Sequence, residues 1–143
     1  VSKSDPEIIY VSISNASTFG SLGLFKSTDS GTSWNQITNA PNVLCQPSSP
    51  TQCQGWYVNL ISVSPVDPEL IFYGGVQFWR SSNGGTNWTW HDLYSNNLTD
   101  QIGKTYVDQW DIGFNYSDPE IIFWNLRSSS YHLHGFPSSV HVR

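Results

Sequence analysis

Ser4-Asp5-Pro6-Glu7-Ile8-Ile9-Tyr10 returns twice in this chain, as Val66-Asp67-Pro68-Glu69-Leu70-Ile71-Phe72 and as Ser117-Asp118-Pro119-Glu120-Ile121-Ile122-Phe123. Each copy joins a turn to a strand. Pro fixes φ, and the Asp side chain can bond to nearby backbone amides, so Asp-Pro-Glu closes a turn. The β-branched and aromatic run after it has the composition and length of a strand. A second element follows the first two copies: Leu24–Trp34 aligns with Phe78–Trp88. A third precedes the later two, 58–69 aligning with 109–120. Three elements kept in one order make a tandem repeat of about 50 residues.

The repeat unit is read as β structure throughout. Strands are expected at Ile8–Ser12, Leu70–Tyr73 and Ile121–Trp124, then at Leu24–Ser27 and Phe78–Ser81. Each of the latter pair runs into a Gly-containing hairpin and a Trp-led strand, 34–38 or 88–91. Alternating Val58, Leu60, Ile61 and Val63 place another strand within 57–64. No window shows a 3.6-residue period, so helices are not expected. A complete unit is four antiparallel strands, the pattern of a propeller blade. The expected fold class is therefore all-β, with antiparallel four-stranded blades of an incomplete β-propeller. The chain is divided into an incomplete blade at 1–40, a Cys-bracketed loop at 41–55, a complete blade at 56–105, and a partial third blade with a tail at 106–143. Two to three blades fall short of the four that closed rings need. The end faces are expected to be covered by a longer chain or by copies of this one.

Composition narrows the classes further. Aromatic residues are 15% of the 143, and charged residues only 12%. Such a chain can bury a core, which excludes disorder, and it lacks the Ala/Glu/Lys/Leu heptads of a helical bundle. Net charge is −5, with six scattered Lys or Arg, so no electrostatic footprint for nucleic acid is present. No run of 18 apolar residues occurs, and no helical membrane span is expected. The N-terminus begins at Val1 without an initiator Met and shows no signal or transit pattern, and the chain is expected to be processed or part of something longer. Cys45 and Cys53 bracket a Pro/Ser/Gln stretch without a nearby His, which favours a small disulfide over a zinc site. Sequons at Asn15, Asn87, Asn97 and Asn115 add to an extracellular reading, secreted or at a cell surface, where they would be N-glycosylation sites.

The hairpin at Ser27-Thr28-Asp29-Ser30-Gly31-Thr32-Ser33-Trp34 resembles the Asp-box, or BNR repeat, S-x-D-x-G-x-T-W, with Ser33 in place of Thr. Ser81-Ser82-Asn83-Gly84-Gly85-Thr86-Asn87-Trp88 is a degenerate copy, with Asn83 at the Asp position. Asp29 or Asn83 is expected to fold onto the following amides, with Ser27 or Ser81 tying the base. Gly31 and Gly85 permit positive φ. Trp34 and Trp88 are expected to pack beneath the turn against the neighbouring sheet. Residues 4–126 are similar to Asp-box propellers of the sortilin-like and xyloglucanase-type group. Gln54-Gly55-Trp56-Tyr57 and Val107-Asp108-Gln109-Trp110 also resemble segments of secreted bacterial Asp-box proteins. In that family the motif is a folding device at the blade's outer edge, so the resemblance gives Asp29 no catalytic role.

Candidate chemistry is sparse. A sialidase-type site needs an Arg cluster; this chain has only Arg80, Arg127 and Arg143. Asp108 and Asp111 flank Trp110 and could form a two-carboxylate glycosidase pair, although solvated carboxylates near a turn explain them as well. Some family members carry His at the places of Val107 and Trp110, which weakens that pair further. His132 and His134, with His141 nearby, lack a third ligand of suitable spacing, so no metal and no cofactor is expected. Trp56, Tyr57, Trp79 and Trp90 are candidates for stacking on a glycan, against a packing role between blades. The expected function is a non-catalytic module with structural or binding work, its partners glycans, other proteins or further copies. A fragment of a propeller glycoside hydrolase and a lectin-like propeller are the alternatives.

Overall fold

The computed structural model describes residues 1–90, 108–114, 121–127 and 139–141. Among them the protein is all-β, with twelve strands in antiparallel sheets and no helix, hence no helix long and apolar enough to cross a membrane. The first sheet holds β1 (Ile9–Ser14), β2 (Ser21–Ser27) and β3 (Asn35–Gln36) in sequence order. A two-stranded hairpin follows, β4 (Cys45–Gln46) with β5 (Ser49–Cys53). The second sheet has four strands, β6 (Leu60–Val63), β7 (Ile71–Gly74), β8 (Phe78–Ser81) and β9 (Thr89–Trp90). The third sheet has β10 (Asp108–Phe114), β11 (Ile121–Arg127) and β12 (Ser139–His141).

Register repeats between sheets. Ile9 pairs with Ser27, Ile71 with Ser81, and Ile122 with Val140. The strand β12 thus takes the place of β2 and β8, in a stretch where no strand was expected. Val140 stands at the register position that Ser holds in the other two sheets. The expectation that the Cys-bracketed segment is a loop is also corrected. Cys45 and Cys53 face each other across a hairpin and form a disulfide, which removes both thiolates as zinc ligands. Pro50 inside β5 is tolerated because this hairpin carries no further strand to receive its missing N–H.

Packing is layered, sheet upon sheet. The strand β7 buries Ile71, Phe72 and Tyr73 almost completely, because side chains alternate and both faces are covered. Tyr73 joins Leu24, Val43 and Leu44 in a core between the first and second sheets. Phe72 stacks on Phe78 at 5.7 Å and meets Phe114 at 5.8 Å, in a core shared with the third sheet. The leading strands β1, β6 and β10 neighbour one another in that order.

Polar bonds reinforce the first join. Tyr73 Oη accepts from Ser12 Oγ at 3.2 Å and pairs with Ser21 Oγ at 3.1 Å. Tyr10 donates to the Pro68 carbonyl at 3.1 Å, and burial raises its phenol above the ordinary value, so it stays a donor. The first sheet's opposite face is different. Ile9 and Val11, at the places of the fully buried Ile71 and Tyr73, are only half-buried, and Ile13 beside them is exposed.

Candidate functional site

The two hairpins repeat almost bond for bond. Ser27 Oγ donates to Asp29 Oδ1 at 2.8 Å and accepts from the amides of Asp29 and Gly31 at 3.3 and 2.8 Å. Ser81 Oγ does the same with Asn83 Oδ1, Asn83 N–H and Gly85 N–H at 3.0, 3.3 and 2.9 Å. The residue-29 and residue-83 side chains each accept a backbone N–H four residues on, from Ser33 and Asn87, at 2.8 Å. Both serines are fully buried, so their hydroxyls must be satisfied locally, and these bonds satisfy them. Positive φ falls on Ser30 (59°) and Gly31 (89°), and on Gly84 (64°) and Gly85 (91°).

The turns dock onto the hairpins. In the two described Asp-Pro-Glu turns the Asp side chain accepts the Glu amide, at 3.2 Å for Asp5 and 3.0 Å for Asp67. The Glu carbonyl then accepts an amide from the hairpin tip. Ser30 N–H reaches Glu7 at 3.0 Å, and Gly84 N–H reaches Glu69 at 2.9 Å. The two most recognisable motifs of the repeat are therefore one structural unit.

The copies differ where charge and context differ. Asp29 accepts a further bond, from Ser33 Oγ at 2.5 Å, which Asn87 does not reproduce at Asn83. The Ser33 hydroxyl and amide, with Ser27, hold the Asp29 carboxyl down at about 2. Trp34 departs from the packing expected of it. It is 41% exposed, and its indole N–H donates to the Gly31 carbonyl of its own hairpin at 3.0 Å. Trp88 packs on Tyr73 at 6.0 Å between the first two sheets, and its buried N–H has no partner among the described residues.

That difference follows from what lies against each hairpin. The second is pressed by the first sheet: Asn39 donates to the Thr86 carbonyl at 2.6 Å, and a methyl at Gly85 would sit 2.7 Å from Ile37 Cδ1. Lys26 Nζ meets Glu69 Oε1 at 2.6 Å and lies 5.5 Å from the Tyr10 ring centre. Burial opposes its charge, but the bonds to Glu69 and Tyr10 outweigh this and raise the ammonium above its ordinary value. At the first hairpin no described residue fills the corresponding space. A methyl at Gly31 would meet only ordinary contacts with Trp34 and Ile9, and Glu7, at the place of Glu69, is exposed.

The aromatic candidates form two pairs. Trp79 and Trp90 are cross-strand neighbours, stacked at 6.2 Å on the outer strands of the second sheet; Trp79 packs on the first core while Trp90 is exposed. Trp56, exposed, tilts against Tyr57 at 5.2 Å in the loop after β5. Among the described residues no ring contact joins the two pairs into one platform.

A separate cleft of about 650 Å³, missed by sequence reasoning, lies between the β1–β2 turn and the disulfide hairpin. Phe19, Gln46, Gln52 and Gln54 are among its lining residues.

The remaining candidates are placed as follows. In the backbone register of β10 and β11, Asp108 stands opposite Arg127 and Asp111 opposite Asn125, and an irregularity between Gln109 and Asp111 leaves Trp110 outside the ladder. Arg80 lies in β8 opposite Phe72. Asn15 caps its own turn, its side-chain oxygen accepting from Ser17 and Thr18 amides, and Asn87 is exposed on the second hairpin. Asn97, Asn115, His132, His134 and Arg143 lie outside the described residues. Among the described residues no three His, Cys, Asp or Glu come together as a metal site. No protein-family model matches the chain, and no curated protein matches it at a significant level of similarity.

Proposed function

We propose that this chain is a non-catalytic Asp-box repeat module of a secreted or cell-surface protein, with sheets that act as blades of a partial β-propeller. Its work is to dock a further sheet of the same kind on the open face of its first sheet. One observation carries the reading: the join between the first two sheets has a complete set of parts, and the first sheet offers one half of that set again. Lys26, Ile37 and Asn39 cover Glu69, Gly85 and Thr86 inside the chain. Glu7, Gly31 and Thr32 occupy the equivalent places on the first sheet, beside the apolar Ile9, Val11, Ile13 and Trp34. The occupant this chemistry selects is a sheet that brings a cation to Glu7 and a branched apolar side chain to Gly31. The order of β1, β6 and β10 supports a radial arrangement. The Cys45–Cys53 disulfide is compatible with an oxidising compartment.

Two experiments test the two halves of this reading. Glu7→Lys puts a like charge where a cation should dock, so any assembly through this face should dissociate in sedimentation; unchanged assembly would refute the docking surface. A panel of β-glucans and sialosides should give no turnover. Turnover that disappears in Asp108→Asn or Asp111→Asn would replace the module with a glycoside hydrolase.

A further inference from the structure

The cleft beside the disulfide is built around a strained aromatic residue. Phe19 has φ = 58°, in the left-handed region where a bulky side chain is an outlier. Backbone bonds hold it there: its N–H donates to the Asn15 carbonyl at 2.8 Å, and its carbonyl accepts from Gly55 at 2.7 Å. Gly55 has no room for a Cβ between Phe19, Leu44 and Ser14, so this clamp is tight. A glycine at position 19 would fit the same turn without strain. The ring is nevertheless 40% exposed, so core packing does not explain its presence. It lines the cleft. Strain kept at a cavity wall is the pattern from which a binding role is inferred.

The opposite wall is fixed and uncharged. The disulfide pins the β4–β5 hairpin, and Asn42 ties the two walls, accepting from Ser21 N–H at 3.0 Å and donating to Cys45 Sγ at 3.0 Å. Gln46, Gln52 and Gln54 line the cleft, as do the hydroxyl residues Ser17 and Thr51. Among the described residues no Lys, Arg, His, Asp or Glu lines it. An anion would find no counter-charge there, and a wholly apolar ligand would leave the amides unpaired. Amides that both donate and accept, lining a half-open cleft together with one aromatic residue, match a neutral sugar. Its C–H face stacks on the ring while its hydroxyls bond to the amides. We infer that this cleft binds neutral carbohydrate, with Phe19 as the stacking residue and Gln46, Gln52 and Gln54 as hydroxyl contacts. The inference is independent of the module reading, since none of these residues lies on the open face of the first sheet.

The test is calorimetric titration of the full chain with cello-, xylo-, laminari- and manno-oligosaccharides, with sialyllactose as an anionic control. At least one neutral series should bind and sialyllactose should not. Phe19→Gly should weaken that binding at least tenfold, and Gln52→Ala, at an exposed position, should weaken it at least threefold with Tm unchanged. Loss of binding in a Gln52 variant that melts like the wild type cannot be a folding defect. Trp79→Ala should leave the affinity within twofold. If no neutral oligosaccharide binds, if Phe19→Gly binds like the wild type, or if Trp79→Ala abolishes binding, the assignment is wrong.

Discussion

Gly31 and Gly85 occupy the same place in two near-identical hairpins, at φ values of 89° and 91°, yet only one is pressed by another sheet. Alanine at each should separate the cost of the turn from the cost of the join. At Gly31 the added methyl meets Trp34 at 3.5 Å and Ile9 at 3.8 Å, which are ordinary contacts. Only the backbone penalty of a left-handed L residue then applies, roughly 1–2 kcal/mol. At Gly85 the same penalty applies, and the methyl also meets Ile37 Cδ1 at 2.7 Å and Cγ2 at 3.0 Å. The Cδ1 atom can swing aside by χ2 rotation, but Cγ2 moves only if χ1 leaves its rotamer or the backbone after β3 shifts. Overpacking of this kind adds about 1–3 kcal/mol, and the mobile Cδ1 puts the addition toward the lower end, about 1–2 kcal/mol. Gly85→Ala should therefore lose about 1–2 kcal/mol more than Gly31→Ala, a further fall in Tm of roughly 3–8 °C for a chain of this size. Urea unfolding followed by tryptophan fluorescence measures both. Ile37→Ala in the Gly85→Ala background should recover part of the loss, giving a coupling term in a double-mutant cycle. Equal losses at the two glycines, or additive behaviour of Gly85 and Ile37, would refute the docking of the second hairpin against the first sheet.

Three further outcomes follow from particular bonds. Asp29 titrates near 2 instead of 3.8 because Ser33 and Ser27 bond its ionised form. Its stabilising effect is therefore complete above about pH 4 and lost as pH falls through 2; Asp29→Asn should flatten the fall of Tm over that window, and an unchanged profile would contradict the bonding. Removing the disulfide with Cys45→Ser and Cys53→Ser should lose about 2.5 kcal/mol by the loop-entropy relation for so short a loop; calorimetry with and without reductant checks it, and no change would contradict the hairpin pairing. Tyr73→Phe removes a buried hydroxyl bonded to Ser12 and Ser21 and should lose about 1–1.5 kcal/mol in denaturant unfolding.

What the sequence made legible was its punctuation. Asp5-Pro6-Glu7, Asp67-Pro68-Glu69 and the two Gly-containing hairpins fold by local rules, so their residues announced turns and the strands between them. The paired β4–β5 hairpin was hidden because Ser49, Pro50 and Gln52 have poor strand propensity, and the disulfide across Cys45 and Cys53 holds them together instead. Trp88 packs between the sheets as its motif position suggests, but the exposure of Trp34 was illegible, since identical motif positions are decided by whether Ile37 and Asn39 of another sheet lie nearby. Phe19 is the most instructive case. In Phe19-Gly20 the glycine is the residue that sequence rules assign to positive φ, yet Phe19 takes it. Gly20 serves for space instead: a methyl there would come within 3.3 Å of Cys45 Sγ and 3.5 Å of Cys53 Sγ. A strained residue of this kind shows only once the walls around it are built.

The central claim is that the first sheet's open face docks another sheet of the same kind. Light scattering of the 16.1 kDa chain across a concentration series measures this directly. The account predicts a particle of several chain masses that falls toward one chain mass on dilution. A monodisperse monomer at every concentration, melting in a single cooperative transition, would contradict it.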